Sequence, residues 1–334
     1  MDKGIGHPVA EGVARLAATL VPGGGTVTAC RRLSGGASQE TWAFTVAGVA
    51  GAEDFILRRA PEGNWLPGLA IALETEAELM SRAGASGVPS PGVRHVLTPG
   101  DGLGRGFVMG FVAGETLGQR IVREPAFADI RPRLAGQCGA ILARIHDVPA
   151  GDIADLRRLD ARSQVDELAR MYRAGEQVRP VFDLAFRWLG GHLPAPVPPV
   201  LVHGDFRNGN LIFGPEGIRA VLDWELAHLG DPMEDLGWIC VASWRFGAID
   251  LPVGGFGRRE DLFAAYEAAS GRPVDAGAVR FWEVLGTLRW GLICNESGTR
   301  FAAGLDRSVE RAIIGRRASE TEIDLLHLLT GRDD

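Results

Sequence analysis

The chain is almost without lysine: of its 35 basic residues only Lys3 is one, so every other cation it can offer is an arginine. A phosphate-binding loop of the G-x-x-x-x-G-K-[ST] type and a Schiff-base amine are both excluded, since each needs a lysine inside the fold. Cysteine is scarce too. Cys30, Cys138, Cys240 and Cys294 are scattered, with no C-x-x-C pair, so neither a disulfide framework nor a thiolate zinc site is indicated. No run approaches the ~18 uncharged apolar residues that a membrane span requires, and Glu11 and Arg15 interrupt the apolar opening segment. A cytoplasmic protein is expected. Nor is there a surplus of positive charge: the formal net charge is −7, which argues against a nucleic-acid-coating surface. No feature calls for a membrane or an obligate protein partner.

What remains is a 334-residue chain that is 46% hydrophobic, ample for a large core and more than one lobe. The first third reads as strands. Thr41–Val46 and Phe55–Leu57 are rich in aromatic and β-branched residues, with turn composition over Ala47–Glu53, and predict a hairpin. A helix over Leu73–Arg82 and a strand over Phe107–Phe111 follow. Beyond Arg133 the period changes: Leu134, Cys138, Ile141 and Ile145 recur on one helical face. Further helices are predicted near Val165–Ala174, Pro180–Leu189, Pro232–Ser243, Asp261–Ala269, Ala278–Cys294 and Glu320–Leu329. The expected fold is α+β and bilobal. A small β-rich lobe would span residues 1–112 and a larger, mainly helical lobe residues 113–334, with a cleft between them.

The chemistry concentrates in Val200–Asp223, VLVHGDFRNGNLIFGPEGIRAVLD. Leu211–Phe213 and Ile218–Leu222 flank Gly214-Pro215-Glu216-Gly217, so a second hairpin is predicted. Antiparallel pairing then sets Asn210 beside Asp223 at the open end, and the loop holding Asp205 feeds into the same point. Two carboxylates and an amide are hard oxygen donors that suit Mg²⁺ together with phosphate oxygens. The spacing Asp205-x-x-x-x-Asn210 also matches the kinase catalytic loop.

These residues resemble the aminoglycoside-phosphotransferase-like branch of the protein-kinase fold, marked by H-G-D-x-x-x-x-N followed by D-W-E. His203-Gly204-Asp205 with Asn210, then Asp223-Trp224-Glu225, fit it, as do Gly230-Asp231-Pro232, Asp235-Leu236-Gly237-Trp238 and Leu33-Ser34-Gly35-Gly36-Ala37-Ser38. The nearest likeness is to phosphotransferase modules that accompany acyl-CoA dehydrogenase domains.

The resemblance implies an ATP- and Mg²⁺-dependent transfer of the γ-phosphoryl group to a hydroxylated small molecule, with GTP an open alternative. It implies Asp205 as catalytic base, Asn210 and Asp223 as metal ligands, and His203 and Asp235 as supports of the loop. Glu225 is left between a metal-bound water and a local hydrogen bond. Ser34, Gly35, Gly36, Ala37 and Ser38 would approach the phosphates in place of a kinase glycine loop. Arg58, directly after the apolar run, takes the place of the kinase lysine in preference to Arg59, with Glu76 as its partner. Phe111 and Val112 would meet the adenine edge. His146 and Trp238 are expected to be structural, His146 through terminal helix carbonyls. Cys240–Arg300 holds seven acids and seven arginines, which favours a neutral or anionic acceptor over a polycationic antibiotic. Two rival readings stay open: a catalytically silent nucleotide-binding module and a carboxylate-pair hydrolase.

Overall fold

The computed structural model describes residues 8–33, 39–60, 70–175 and 177–331. Helix α1 (Pro8–Leu20) precedes strands β1 (Gly25–Arg32), β2 (Glu40–Gly48) and β3 (Gly51–Arg59), helix α2 (Leu73–Ala85), and strands β4 (Val93–Val96) and β5 (Gly106–Gly110). The strands form one antiparallel sheet in the order β1-β2-β3-β5-β4. Strand alternation sorts its two faces. Phe44, Phe55 and Leu57 pack with Val13, Leu16 and Ala17 of α1, whereas Ile56, Phe107 and Met109 join Leu73, Ala77 and Met80 of α2. Arg58 shares the face of Ile56 and so points into the space beside α2.

The first hairpin is longer and its turn tighter than the composition predicts. Gly48 pairs with Gly51, so only Val49 and Ala50 lie between the strands, where a turn over Ala47–Glu53 was expected. Gly51 takes φ +127°, which a β-carbon would resist, and this lets the exposed, weakly apolar Gly51–Asp54 continue the ladder. Strands β1 and β4 carry no strong sequence signal, whereas α1 does: Val9, Val13, Leu16 and Leu20 recur on one helical face, a helix absent from the expectations above. β1 and β4 are short of buried side chains, and α1 is held by tertiary contact with the sheet.

The helical remainder comprises α3 (Gly118–Arg123), α4 (Arg131–His146), α5 (Ala161–Ala174), α6 (Pro180–Gly191), α7 (Met233–Cys240), α8 (Arg259–Ser270), α9 (Ala276–Ala302), α10 (Val309–Arg316) and α11 (Ala318–Thr330). Two small ladders interrupt it. β6 (Val200–Val202) pairs with β9 (His228–Gly230), and β7 (Leu211–Gly214) pairs with β8 (Gly217–Val221). Among the described residues no helix is long and apolar enough to cross a membrane.

Helices α4 and α8 approach so closely at Gly139 that a β-carbon there would lie 2.2 Å from the Leu262 carbonyl oxygen and 2.9 Å from the Tyr266 nitrogen. Both neighbours are backbone and cannot swing aside. Gly139→Ala is therefore expected to cost about 1–3 kcal/mol of stability, read as a lower denaturant midpoint at unchanged slope. A midpoint equal to wild type would contradict this packing.

Candidate active site

The β7–β8 hairpin turns through Pro215 and Glu216, with Gly214 opposite Gly217. At its open end the Leu222 amide donates to the Asn210 carbonyl at 2.8 Å, which sets Asp223 next to Asn210. Asp223 has φ 66° and ψ 62°; among the described residues only it and Phe246 hold a positive φ without being glycine. Left-handed backbone is disfavoured for L-residues, Asp less than most, and here it turns the carboxylate out of the strand direction.

The loop between β6 and β7 is braced from below. Asp235, fully buried on α7, accepts the amides of His203 at 2.8 Å and Gly204 at 2.9 Å, and His146 donates to it at 3.2 Å. Burial alone would push this carboxyl up; its contacts with His146 and His203 outweigh that and hold it below the usual range. His146 thus bridges Asp235 and the Tyr266 hydroxyl, 3.0 Å away, rather than capping helix carbonyls as expected. Gly204 has φ +78°, and a β-carbon would lie 2.5 Å from the Leu226 carbonyl oxygen, so the loop requires glycine at this position.

His203 joins the loop to the hairpin. Its Nδ1 accepts the Asp205 amide at 3.2 Å and its Nε2 donates to the Leu222 carbonyl at 3.1 Å, a pattern that assigns the neutral Nε2–H tautomer. Burial keeps its pKa below the ordinary histidine value, in accord with that assignment.

The Asp205 carboxylate carries three donors: Asn210 Nδ2 at 2.6 Å on one oxygen, and Trp238 Nε1 at 2.8 Å with Arg207 Nε at 3.0 Å on the other. Trp238 was expected to be core packing. It sits three residues after Asp235, on the same face of α7, so one helical turn holds both the backbone and the side chain of the loop. That i, i+3 relation and the arginine two places after Asp205 were the available signals.

On the sheet side, Arg58 gathers three acids. Its Nε lies 3.3 Å from Glu76, and its Nη2 pairs with Asp223 and lies 3.4 Å from Glu225. Gln39 accepts from Arg58 and donates to Glu225 at 3.2 Å, which ties Glu225 to this cluster. Burial works against the guanidinium charge, but Glu76, Asp223 and Glu225 prevail and push its pKa further up. Arg59 faces the other way, 3.2 Å from Glu40.

Glu76 is fully buried. Burial, together with the charges of Asp223 and Glu225, raises its pKa to about 7 despite Arg58. Since the native value exceeds the unfolded one, Glu76 favours the fold below about pH 4.5, and that contribution fades as the pH rises through 7. Ligand-free protein should therefore lose a few kcal/mol of stability from this group between those limits, and Glu76→Gln should flatten the dependence. Urea midpoints across that range check this; parallel curves for the two proteins would contradict it.

Between the sheet and the loop lies a cleft of about 460 Å³, within the span of small-ligand sites. Ile56, Arg58, Met109, Phe111, Val112, Asn210 and Asp223 line it. The Phe111 amide donates to the Asp54 carbonyl at 3.0 Å and is committed to the sheet, so Val112 is the first residue past it. The predicted Ser34, Gly35, Gly36, Ala37 and Ser38 lie outside the described residues.

Among the described residues no three His, Cys, Asp or Glu side chains form a metal cluster. Asn210 turns its nitrogen to Asp205, and it lines the cleft together with Asp223. One carboxylate plus one amide oxygen is a donor set that fits Mg²⁺ when phosphate oxygens and water complete the shell.

A family model described as "Phosphotransferase enzyme family" matches residues 29–272. Acyl-CoA dehydrogenase family member 10 from Mus musculus is 34% identical over 207 residues, 57% of this chain and 18% of that protein. The chain spans well under half the length of the first curated relatives it matches. Among solved structures, a candidate aminoglycoside phosphotransferase from Ralstonia eutropha JMP134 superposes with a TM-score of 0.74 at 23% identity, over 96% of this chain and 98% of that one. A thermostable mutant of aminoglycoside phosphotransferase APH(4)-Ia, solved with AMP-PNP and hygromycin B, gives a TM-score of 0.61 at 15% identity over 91% and 94%. At these identities the likeness establishes the fold, an α+β kinase-like architecture.

Proposed function

Because the chain belongs to the phosphotransferase enzyme family, we propose that it transfers the γ-phosphoryl group of ATP to the hydroxyl of a small molecule, using the cleft between sheet and catalytic loop. The observation that supports this best is that Arg58, Asn210 and Asp223 line that cleft together, with Arg58 paired to Asp223 and Asn210 donating to Asp205. In this reading residues 1–112 form the nucleotide-binding lobe and residues 113–334 the catalytic and acceptor-binding lobe. Val112 receives the adenine edge. Arg58 presents its guanidinium fork to phosphate oxygens, and Glu76 holds it there.

Asn210 and Asp223 would hold Mg²⁺, which supplies positive charge against the phosphates. Asp205 orients the acceptor hydroxyl in line with the γ-phosphorus. The acceptor oxygen bonds to phosphorus as the bond to the β–γ bridging oxygen breaks. ADP departs with that electron pair, and the hydroxyl proton passes to Asp205. Such a reaction is governed by positioning and charge neutralisation, which is what the braced loop provides.

The test is incubation with ATP, Mg²⁺ and a panel of hydroxylated metabolites, followed by ³¹P detection of new phosphate esters. An ester formed by wild type and absent with Asp205→Asn is the expected result. Equal formation by both would remove the assigned base.

A further inference from the structure

The connection from α6 to β6 carries four prolines, Pro194, Pro196, Pro198 and Pro199. Each fixes its φ and lacks an N–H, so residues 192–199 join no ladder and hold a preset course at little entropic cost. With residues 158–162 and the end of β9, this segment borders a pocket of about 540 Å³, within the span of small-ligand sites. The pocket shares no lining residue with the cleft that holds Arg58 and Asp223. We infer that it is a second binding site, for a small amphipathic molecule with a carboxylate or phosphate head, and that Arg158 and Arg162 bind the head.

Strand pairing aims Arg158 at this pocket. The Leu159 amide donates to the Leu229 carbonyl and the Leu229 amide to the Arg157 carbonyl, both at 2.9 Å, so residues 157–159 run beside β9 as an added strand. Alternation then sends Arg157 and Arg158 to opposite sides. Arg157 turns to Glu167 at 2.8 Å, outside the pocket, and Arg158 lines it. Arg162 joins it from the first turn of α5, where no acid stands.

The acids at the pocket, Asp160 and Asp231, offset these arginines in formal charge, but their oxygens are committed elsewhere. Asp160 caps α5 by accepting the Ser163 amide and hydroxyl, each at 2.7 Å, and its field reaches Arg162 without a bond. Asp231 accepts the Met233 amide at 2.9 Å and Trp282 Nε1 at 3.0 Å. Among the described residues Arg158 and Arg162 pair with no carboxylate. Two guanidinium forks, each suited to an oxyanion, therefore meet a space whose other walls include Leu159, Leu193, Pro194, Pro196, Val197 and Leu229. Val197 is 46% exposed, an apolar side chain left at the rim. An organic anion satisfies both kinds of wall, whereas a cation meets like charge and a neutral chain leaves the guanidinium donors unused.

Isothermal titration of the full chain with hexanoate, hexyl phosphate, hexanol and hexylamine tests this. The expected result is an anion bound about tenfold or more tighter than hexanol or hexylamine, the tighter of hexanoate and hexyl phosphate naming the head group. Both arginines are exposed, so their substitution leaves the fold intact and a lost affinity reports the site. Arg158→Gln and Arg162→Gln should each raise the Kd of that anion about tenfold, Arg158→Lys should recover much of the loss, and Val197→Asp should abolish binding. Arg58→Ala, which removes the cation of the cleft, should leave the Kd within about twofold of wild type. Hexanol bound as tightly as the anions, neither anion bound, binding insensitive to both Arg158→Gln and Arg162→Gln, or binding lost in folded Arg58→Ala would each overturn the inference.

Discussion

Asp205→Asn is expected to slow phosphoryl transfer by about 10²–10⁴-fold, with ATP-induced stabilisation close to wild type. The substitution keeps the shape and removes the proton acceptor. Asp205 holds no part of the Arg58 cluster, so the nucleotide side of the cleft is left intact. The amide oxygen can keep Trp238 Nε1 and Arg207 Nε, and a flip of the Asn210 amide lets its oxygen accept from the new NH₂, so no cavity forms. Turnover at the wild-type rate in a folded, ATP-binding variant would show that Asp205 is not the base.

Arg58→Ala is expected to raise the KM for ATP about 10–100-fold, the range for losing charge-assisted bonds to phosphate. It should also lower stability, because Glu76, Asp223 and Glu225 lose the cation they share. The two effects separate in the Arg58→Ala, Glu76→Gln double variant. Removing the buried acid should recover part of the stability and none of the ATP affinity. Arg59→Ala, which releases only Glu40 on the opposite face, should leave the KM for ATP within about twofold of wild type. The reverse order of the two arginines would place the phosphate fork on the wrong side of β3.

Legibility in the sequence followed how local each signal is. The β7–β8 hairpin could be read because Gly214-Pro215-Glu216-Gly217 is a turn by composition; the bulge at Arg219, which shifts the register and brings Leu222 opposite Asn210, carries no such signal. Arg58 could be chosen over Arg59 because the family resemblance places the basic residue directly after the apolar run, and strand alternation then sends Arg59 to the opposite face. Helix bounds were read short where polar ends continue the hydrogen-bond ladder, as in α9, which runs Ala276–Ala302 against an expected Ala278–Cys294. Contacts between distant segments were not legible. Only its i, i+3 spacing from Asp235 hints that the Trp238 indole reaches Asp205, and nothing near His146 announces Asp235 and Tyr266. Those pairings arise only when α4, α7 and α8 pack together.

The most direct test of the central claim is a thermal-shift titration with ATP, with and without Mg²⁺, on wild type and Arg58→Ala. A ligand that binds the native state raises stability by about 2.7 kcal/mol at a hundredfold excess over its Kd. The expected result is Mg²⁺-dependent stabilisation of wild type that is much reduced in Arg58→Ala at the same ATP concentration. Folded wild-type protein showing no shift with ATP, with or without Mg²⁺, would contradict the assignment of this cleft to a nucleotide.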